Sequence, residues 1–165
     1  MLRATLLVIT AWCACTVAVD FEDCGSLYNA ISFDLDGCAS QPCSVTMGTK
    51  RKVTAVFEAD FQSETVHKEA FAKVNGIIVD LDMTPEPCAD GSGTTCPVVS
   101  GVTHQYSAYV TFGTNLVPVR GYFTLMLLNE ADTPLACYTI DVNIYSSVLH
   151  NAGKNVTLAD IIYRH

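Results

Sequence analysis

Six cysteines constrain the fold more than any other feature: Cys24, Cys38, Cys43, Cys88, Cys96 and Cys137. They are separated by thirteen, four, forty-four, seven and forty residues. Their settings are Phe-Glu-Asp-Cys-Gly-Ser, Cys-Ala-Ser-Gln-Pro-Cys, a Cys-(seven)-Cys-Pro pair and Leu-Ala-Cys-Tyr. An even count behind a leader peptide reads as a disulfide framework, and spacing alone leaves fifteen pairings open. The leader is expected over residues 1–18. Met1-Leu2-Arg3 supplies a positive start, Ala4 to Val17 is an apolar run short for a membrane span, and Thr16-Val17-Ala18 offers a cleavage site. Cleavage after Ala18 removes Cys13, Cys15 and Trp12 and leaves 147 of the 165 residues. That length suits one domain, expected over 19–145, with a tail at 146–165.

Without Arg3, eight Lys and Arg face seventeen Asp and Glu, a net charge of −9. The acidic balance argues against nucleic acid as a partner and against electrostatic docking on anionic membranes. The cysteines imply an oxidising compartment, so the chain is expected to be secreted, to extracellular fluid or a lysosomal lumen.

Strand patterns dominate. Val53, Ala55, Phe57, Ala59 and Phe61 alternate with Thr54, Glu58 and Asp60, with Val56 the exception. Tyr106, Ala108, Val110 and Phe112 repeat the alternation, as do Ile140, Val142 and Ile144. Period two means one buried and one wet face. Tyr122 to Leu128 is nearly all apolar, as a strand covered on both sides would be. Val66 to Leu81 contains Asn75-Gly76, which fits either a tight hairpin or a kinked strand. Turns are expected at Asp36-Gly37, Thr84 to Gly93 and Glu130 to Pro134. The pattern predicts an all-β sandwich of about seven strands. In the tail, Asn155-Val156-Thr157 is the one glycosylation acceptor, and Thr157 to Asp160 could cap a short helix, although a frayed tail fits a segment this short better.

Catalytic patterns are few. His67, His104, His150 and His165 read as surface histidines, with His104 in a loop. No Gly-x-Ser-x-Gly elbow or Gly-rich phosphate loop occurs. Asp34/Asp36 and Asp80/Asp82 would share strand faces at spacing two, which solvated charges do more often than acid–base pairs. The close cysteine pairs suit disulfides better than zinc in an oxidising compartment. No catalytic residue, metal site or cofactor is expected. Ala55, Ala59, Ala70 and Ala108 at inward positions leave volume to be filled by neighbours or by a guest.

The cysteine frame with its Asp-Cys-Gly, Gln-Pro-Cys and Cys-Pro flanks resembles the ML lipid-recognition family. That family includes the Niemann-Pick type C cholesterol carriers, the group two mite allergens and the lipopolysaccharide co-receptor of Toll-like receptors. The resemblance runs from about Phe21 to Ile144, and Ala55-Val56-Phe57-Glu58-Ala59 and Val74-Asn75-Gly76-Ile77 are most similar to the mite allergens. It implies an immunoglobulin-like β-sandwich whose sheets splay to hold a lipid in a cavity between them. The implied disulfides are Cys24–Cys137, Cys38–Cys43 and Cys88–Cys96. The implied lining is Val53, Ala55, Phe57, Ala70, Val79, Leu81, Tyr106, Phe112, Leu125, Ile140 and Val142, with Val117, Pro118 and Tyr138 at the rim. The implied function is non-enzymatic transport of a sterol, fatty acid or similar apolar ligand, with a receptor or a lipid-transfer membrane as partner. The alternative is a secreted innate-immune co-receptor that presents microbial lipid to a signalling partner. Basic residues near a rim would serve that role, and Lys50-Arg51-Lys52 is the only basic cluster. Two departures from the cholesterol carriers stand out. Val79-Asp80-Leu81-Asp82-Met83-Thr84-Pro85 is more acidic than their proline-rich apolar run, and Tyr138 stands where they have tryptophan.

Overall fold

The computed structural model describes residues 18–146. The leader before Ala18, the sequon at Asn155, and His150 and His165 lie outside the described residues. Among the described residues ten strands form: β1 (Glu22–Asp23), β2 (Asn29–Leu35), β3 (Cys43–Thr46), β4 (Thr49–Glu58) and β5 (His67–Val74), followed by β6 (Ile77–Asp80), β7 (Asp82–Thr84), β8 (Thr103–Phe112), β9 (Arg120–Leu128) and β10 (Pro134–Tyr145). No helix occurs among the described residues. One sheet has the order β2-β4-β8-β7 and the other β1-β10-β9-β5-β6, with β3 added to β10 in parallel. The alternation read from the sequence is what makes two sheets face each other. Val53, Ala55 and Phe57 on β4, and Tyr106, Ala108, Val110 and Phe112 on β8, turn one face of the first sheet inward. Ala70, Ala72 and Val74 on β5 and Tyr138, Ile140, Val142 and Ile144 on β10 answer from the second.

The count exceeds seven because the chain breaks strands where it changes sheet. β6 and β7 are one extended run interrupted at Leu81, whose N–H donates to the Ala70 carbonyl at 2.8 Å while Asp82 already pairs with Thr111 of the opposite sheet. Asp80 and Asp82 therefore sit on different sheets and share no face. A second crossing closes the other side. Val19 bridges to Phe33 in the first sheet, and Glu22 and Asp23 pair with Thr139 and Tyr138 in the second. Phe21, between them, packs on Tyr138 with ring centroids 5.0 Å apart.

Asn75-Gly76 closes a hairpin. Val74 pairs with Ile77, and φ values of 50° and 83° at the two turn residues give the doubly left-handed turn that matches strand twist. The apolar run on β9 is covered less evenly than its composition suggests. Tyr122 is half exposed and Met126 half buried, because the outer faces of β5 and β10 beside it carry Lys73, Glu69, Thr139 and Asp141.

Three disulfides form among the described residues, Cys24–Cys137, Cys38–Cys43 and Cys88–Cys96, with Cα atoms 5.1, 5.1 and 5.3 Å apart. Cys38–Cys43 fixes the passage from β2 in one sheet to β3 in the other. Cys88–Cys96 fixes the loop between β7 and β8.

Gly121 marks the tightest approach on β9. A Cβ there would lie 2.6 Å from the Lys73 carbonyl oxygen and 3.0 Å from Val74 Cγ2. A backbone carbonyl held in a ladder cannot step aside. Gly121→Ala is expected to lose about 1–3 kcal/mol, read as a lower urea midpoint with an unchanged m-value. A wild-type midpoint would show that β5 and β9 can separate at no cost.

Candidate functional site

The inward faces meet in one continuous apolar layer. Val53, Ala55 and Phe57 expose 0% of their surface, as do Tyr106, Phe112, Leu125, Tyr138 and Val142. Ile140 is at 1%, and Ala70 and Leu81 at 8%. Val79 is half buried on β6, in register with inward Ala72. Val117 and Pro118 are exposed in the loop that joins β8 to β9, outside this layer. Phe33, Leu35, Ala72, Val110 and Phe123 also belong to it and are absent from the lining that the family resemblance implied. Period two between Asp34 and Asp36 would have found Phe33 and Leu35. Phe123 is hidden in an apolar run whose composition does not say which residues face in.

Side chains occupy the space between the sheets. Phe112, Phe123, Phe33 and Tyr138 form a chain of rings with successive centroids 5.7, 6.1 and 5.3 Å apart, continued by Phe21. A second group runs Phe61, Tyr28, Phe57, His104 at 4.8, 5.9 and 5.6 Å. Each buried phenol finds a carbonyl. Tyr138 Oη donates to Val56 O across the layer at 2.8 Å, Tyr106 Oη to Pro85 O at 2.7 Å and Tyr28 Oη to Phe61 O at 2.7 Å. Burial raises the Tyr106 and Tyr138 hydroxyls well above the usual phenol range, helped by the charges of Glu86 and Asp23 respectively.

His104 is not a loop residue on the surface. It lies on β8, 8% exposed, with its ring stacked on Phe57 and Nε2 accepting the Val99 N–H at 3.3 Å. The inward register of β8 runs one pair further than its apolar residues show. His67 is on the outer surface, 2.9 Å from Asp132. No group of three His, Cys, Asp or Glu among the described residues is placed to hold a metal ion.

The two ends of the layer differ. At one end Lys68, inward on β5 in register with Leu127, is paired with Glu86. At the other, the Val74–Ile77 turn and the 113–119 loop leave Ile77, Ile78 and Val117 exposed at 66%, 58% and 52%. An open depression lies elsewhere. It measures about 540 Å³ on the outer face of β2, β4 and β8 and is lined by Asp34, Asp36, Lys52, Thr54 and Gln105 among others. Burial, then the charge of Asp36, raises the Asp34 carboxyl there against the pull of Lys52. Its lining is mixed, with Ala18, Val56 and Tyr109 beside the charged residues, and none of the inward apolar residues belongs to it.

Comparison with known proteins agrees with this geometry. The ML domain family model matches residues 18–144. The chain is 30% identical over 131 residues to NPC intracellular cholesterol transporter 2 of Canis lupus familiaris, covering 77% of this chain and 85% of that protein. It is 29% identical over 149 residues to the Sus scrofa protein of the same name, covering 87% and 96%. Among solved structures, a Niemann-Pick type C2 protein from Japanese carpenter ant superposes with a TM-score of 0.67 at 23% identity, covering 76% of this chain and 99% of that one. Chicken MD-1 complexed with lipid IVa superposes at 0.50 and 17% identity, covering 74% and 87%. The two-sheet sandwich is thus shared with both.

Proposed function

The chain belongs to the ML domain family, and from that premise we propose that it is a secreted, non-enzymatic carrier that buries an apolar ligand between its two sheets. The observation that carries the reading is the continuous inward apolar layer, bordered by solvent-exposed apolar residues at the Val74–Ile77 end. The relatives named for cholesterol transport, and the lipid IVa bound by chicken MD-1, support a lipid as cargo. A guest hiding roughly 400 Å² of apolar surface gains on the order of 10 kcal/mol, and ordering costs consume part of that.

In this proposal Val53, Ala55, Phe57, Ala70, Leu81, Tyr106, Phe112, Leu125, Tyr138, Ile140 and Val142 touch the ligand, with Val79 at the edge and Val117 and Pro118 at the mouth. Because rings fill the layer, the guest takes its place only when side chains rotate or the sheets part. Both flanks are bound by chain that crosses between sheets, at 19–23 and 77–84. Parting therefore occurs at the ends, and the apolar end faces the membrane or acceptor protein that exchanges the lipid. The co-receptor reading is supported less well. Lys50 and Lys52 project from the outer face of β4, opposite to the inter-sheet layer, so neither faces a lipid headgroup seated there. Three disulfides, together with the leader expected over residues 1–18, suit an extracellular or lysosomal address.

A ligand that binds only the folded chain raises its stability. At a hundredfold excess over Kd the gain is about 2.7 kcal/mol, or roughly 10 °C in Tm for a domain of this size. Oleate or cholesterol is expected to produce such a shift and to displace a fluorescent fatty acid. Lipid recovered from the native protein by mass spectrometry would name the cargo. No shift with either ligand and no co-purified lipid would sink the carrier reading.

A further inference from the structure

Among the described residues two cations stand at inward positions of the sandwich, and only one has a partner there. Lys68 is paired with Glu86 at the far end. Arg51 lies on β4 in the same alternating row as Val53, Ala55 and Phe57, and in register with buried Val110. Its Nε is the one buried side-chain nitrogen or oxygen without a hydrogen-bond partner among the described residues. The guanidinium packs against the Asp36-Gly37 turn, where a Cβ on Gly37 would lie 2.8 Å from Nη1. No carboxylate among the described residues is salt-bridged to it. The run Lys50-Arg51-Lys52 is therefore split by the pleat: two lysines face water and the arginine faces in.

An orphaned buried guanidinium nitrogen costs stability that nothing here recovers. The position is also informative. Arg51 sits at the end of β4 where Thr49 pairs with Phe112 and the 113–119 loop begins, the end with the exposed apolar residues. From Arg51 to Phe57 the inward row runs about 20 Å, the reach of a long acyl chain.

We infer that Arg51 binds the acid headgroup of the cargo, which makes that cargo a long-chain carboxylic acid with its head at the Gly37–Arg51 end and its tail along the layer. The inference rests on the carrier reading and narrows its ligand. A planar guanidinium donates two parallel hydrogen bonds to a carboxylate. A phosphate monoester fits less well, since among the described residues Arg51 is the only inward cation at this end and Asp36 stands in the adjoining turn. Neutral lipids leave Nε unpaired.

The test measures binding of oleate, oleyl alcohol, monooleyl phosphate and cholesterol to the wild type, R51M and R51K near pH 7.5. The wild type is expected to hold oleate at least tenfold more tightly than oleyl alcohol. R51M keeps the apolar stem and should lose about 10–100-fold on oleate while oleyl alcohol binds within about twofold of wild type. R51K, which keeps the charge without the fork, should fall between. R51M should melt no lower than wild type, because it removes the orphaned nitrogen; a lower Tm with unchanged oleate affinity would assign Arg51 a structural role and overturn the inference. Equal wild-type affinities for oleate and oleyl alcohol would overturn it without any variant. Tighter binding of monooleyl phosphate, or displacement of oleate by millimolar acetate, would overturn the assignment to a fatty acid. If the wild type binds cholesterol and oleyl alcohol but not oleate, the headgroup inference fails and the carrier reading stands. If it binds none of the four, the carrier reading itself fails.

Discussion

Replacing Cys24 and Cys137 together by alanine is expected to lower stability far more than replacing Cys38 and Cys43. The first pair closes a loop with a sequence separation of 113, the second one of 5. In the chain-entropy model a loop near one hundred residues contributes about 4.7 kcal/mol, against about 2 for the short loop. The structure adds a second cost. Cys24 holds the 19–23 crossing to the second sheet, next to a β1 of only two residues whose ladder is too short to hold it alone. Releasing it loosens Phe21 from Tyr138 and Val19 from Phe33. Unfolding by urea under oxidising conditions should show the double variant of the long loop weaker by roughly 2–3 kcal/mol than that of the short loop. Equal losses would mean that the unfolded chain is already compact enough to make the long loop cheap.

Much of the sandwich was legible because period two is a strong signal when one face is dry. Val53 to Ala59 and Tyr106 to Phe112 name their own buried faces, and those faces are the ones that meet. Three things were not legible. The sheet change at Leu81 leaves no composition mark, since Val79, Leu81 and Met83 alternate smoothly through it and only tertiary pairing moves Asp82 to the other sheet. His104 reads as a surface residue in a loop ahead of Tyr106, yet the Val99 amide satisfies its ring and allows it to be buried. The hairpin at Asn75-Gly76 needed the register of Val74 with Ile77 to exclude a kinked strand.

The inward alanines show why a candidate site is harder to read than a fold. Sequence sees small residues and space. The registers show that Ala55 lies between Phe33 and Tyr106, and Ala72 between Val79 and Phe123. Large and small side chains interdigitate across strands, so the volume each alanine gives up is taken by its neighbours. Arg51 was equally hidden. In the sequence it is the middle of a basic cluster, and only the pleat separates it from its two neighbours.

Phe123→Ala is expected to cost about 3–5 kcal/mol without ligand, and much of that loss should return when lipid binds. Phe123 is fully buried at the centre of β9, with its ring 5.7 Å from Phe112 and 6.1 Å from Phe33. Truncating it leaves a void with apolar walls on both sheets. In an ordinary close-packed core that void stays a pure loss, because the surrounding structure collapses only partly. In a carrier the same void is space that a lipid otherwise has to open against the packed rings. Lipid should therefore raise the Tm of the variant by more degrees than that of the wild type, and associate with it faster. The comparison needs two melting curves for each protein, with and without oleate, and a stopped-flow trace with a fluorescent fatty acid. The same small shift for both proteins would place the ligand outside the inter-sheet layer. A variant that binds more tightly while folding less stably is the signature of a core whose packing is displaced by its cargo, since the binding free energy no longer includes moving Phe123 aside.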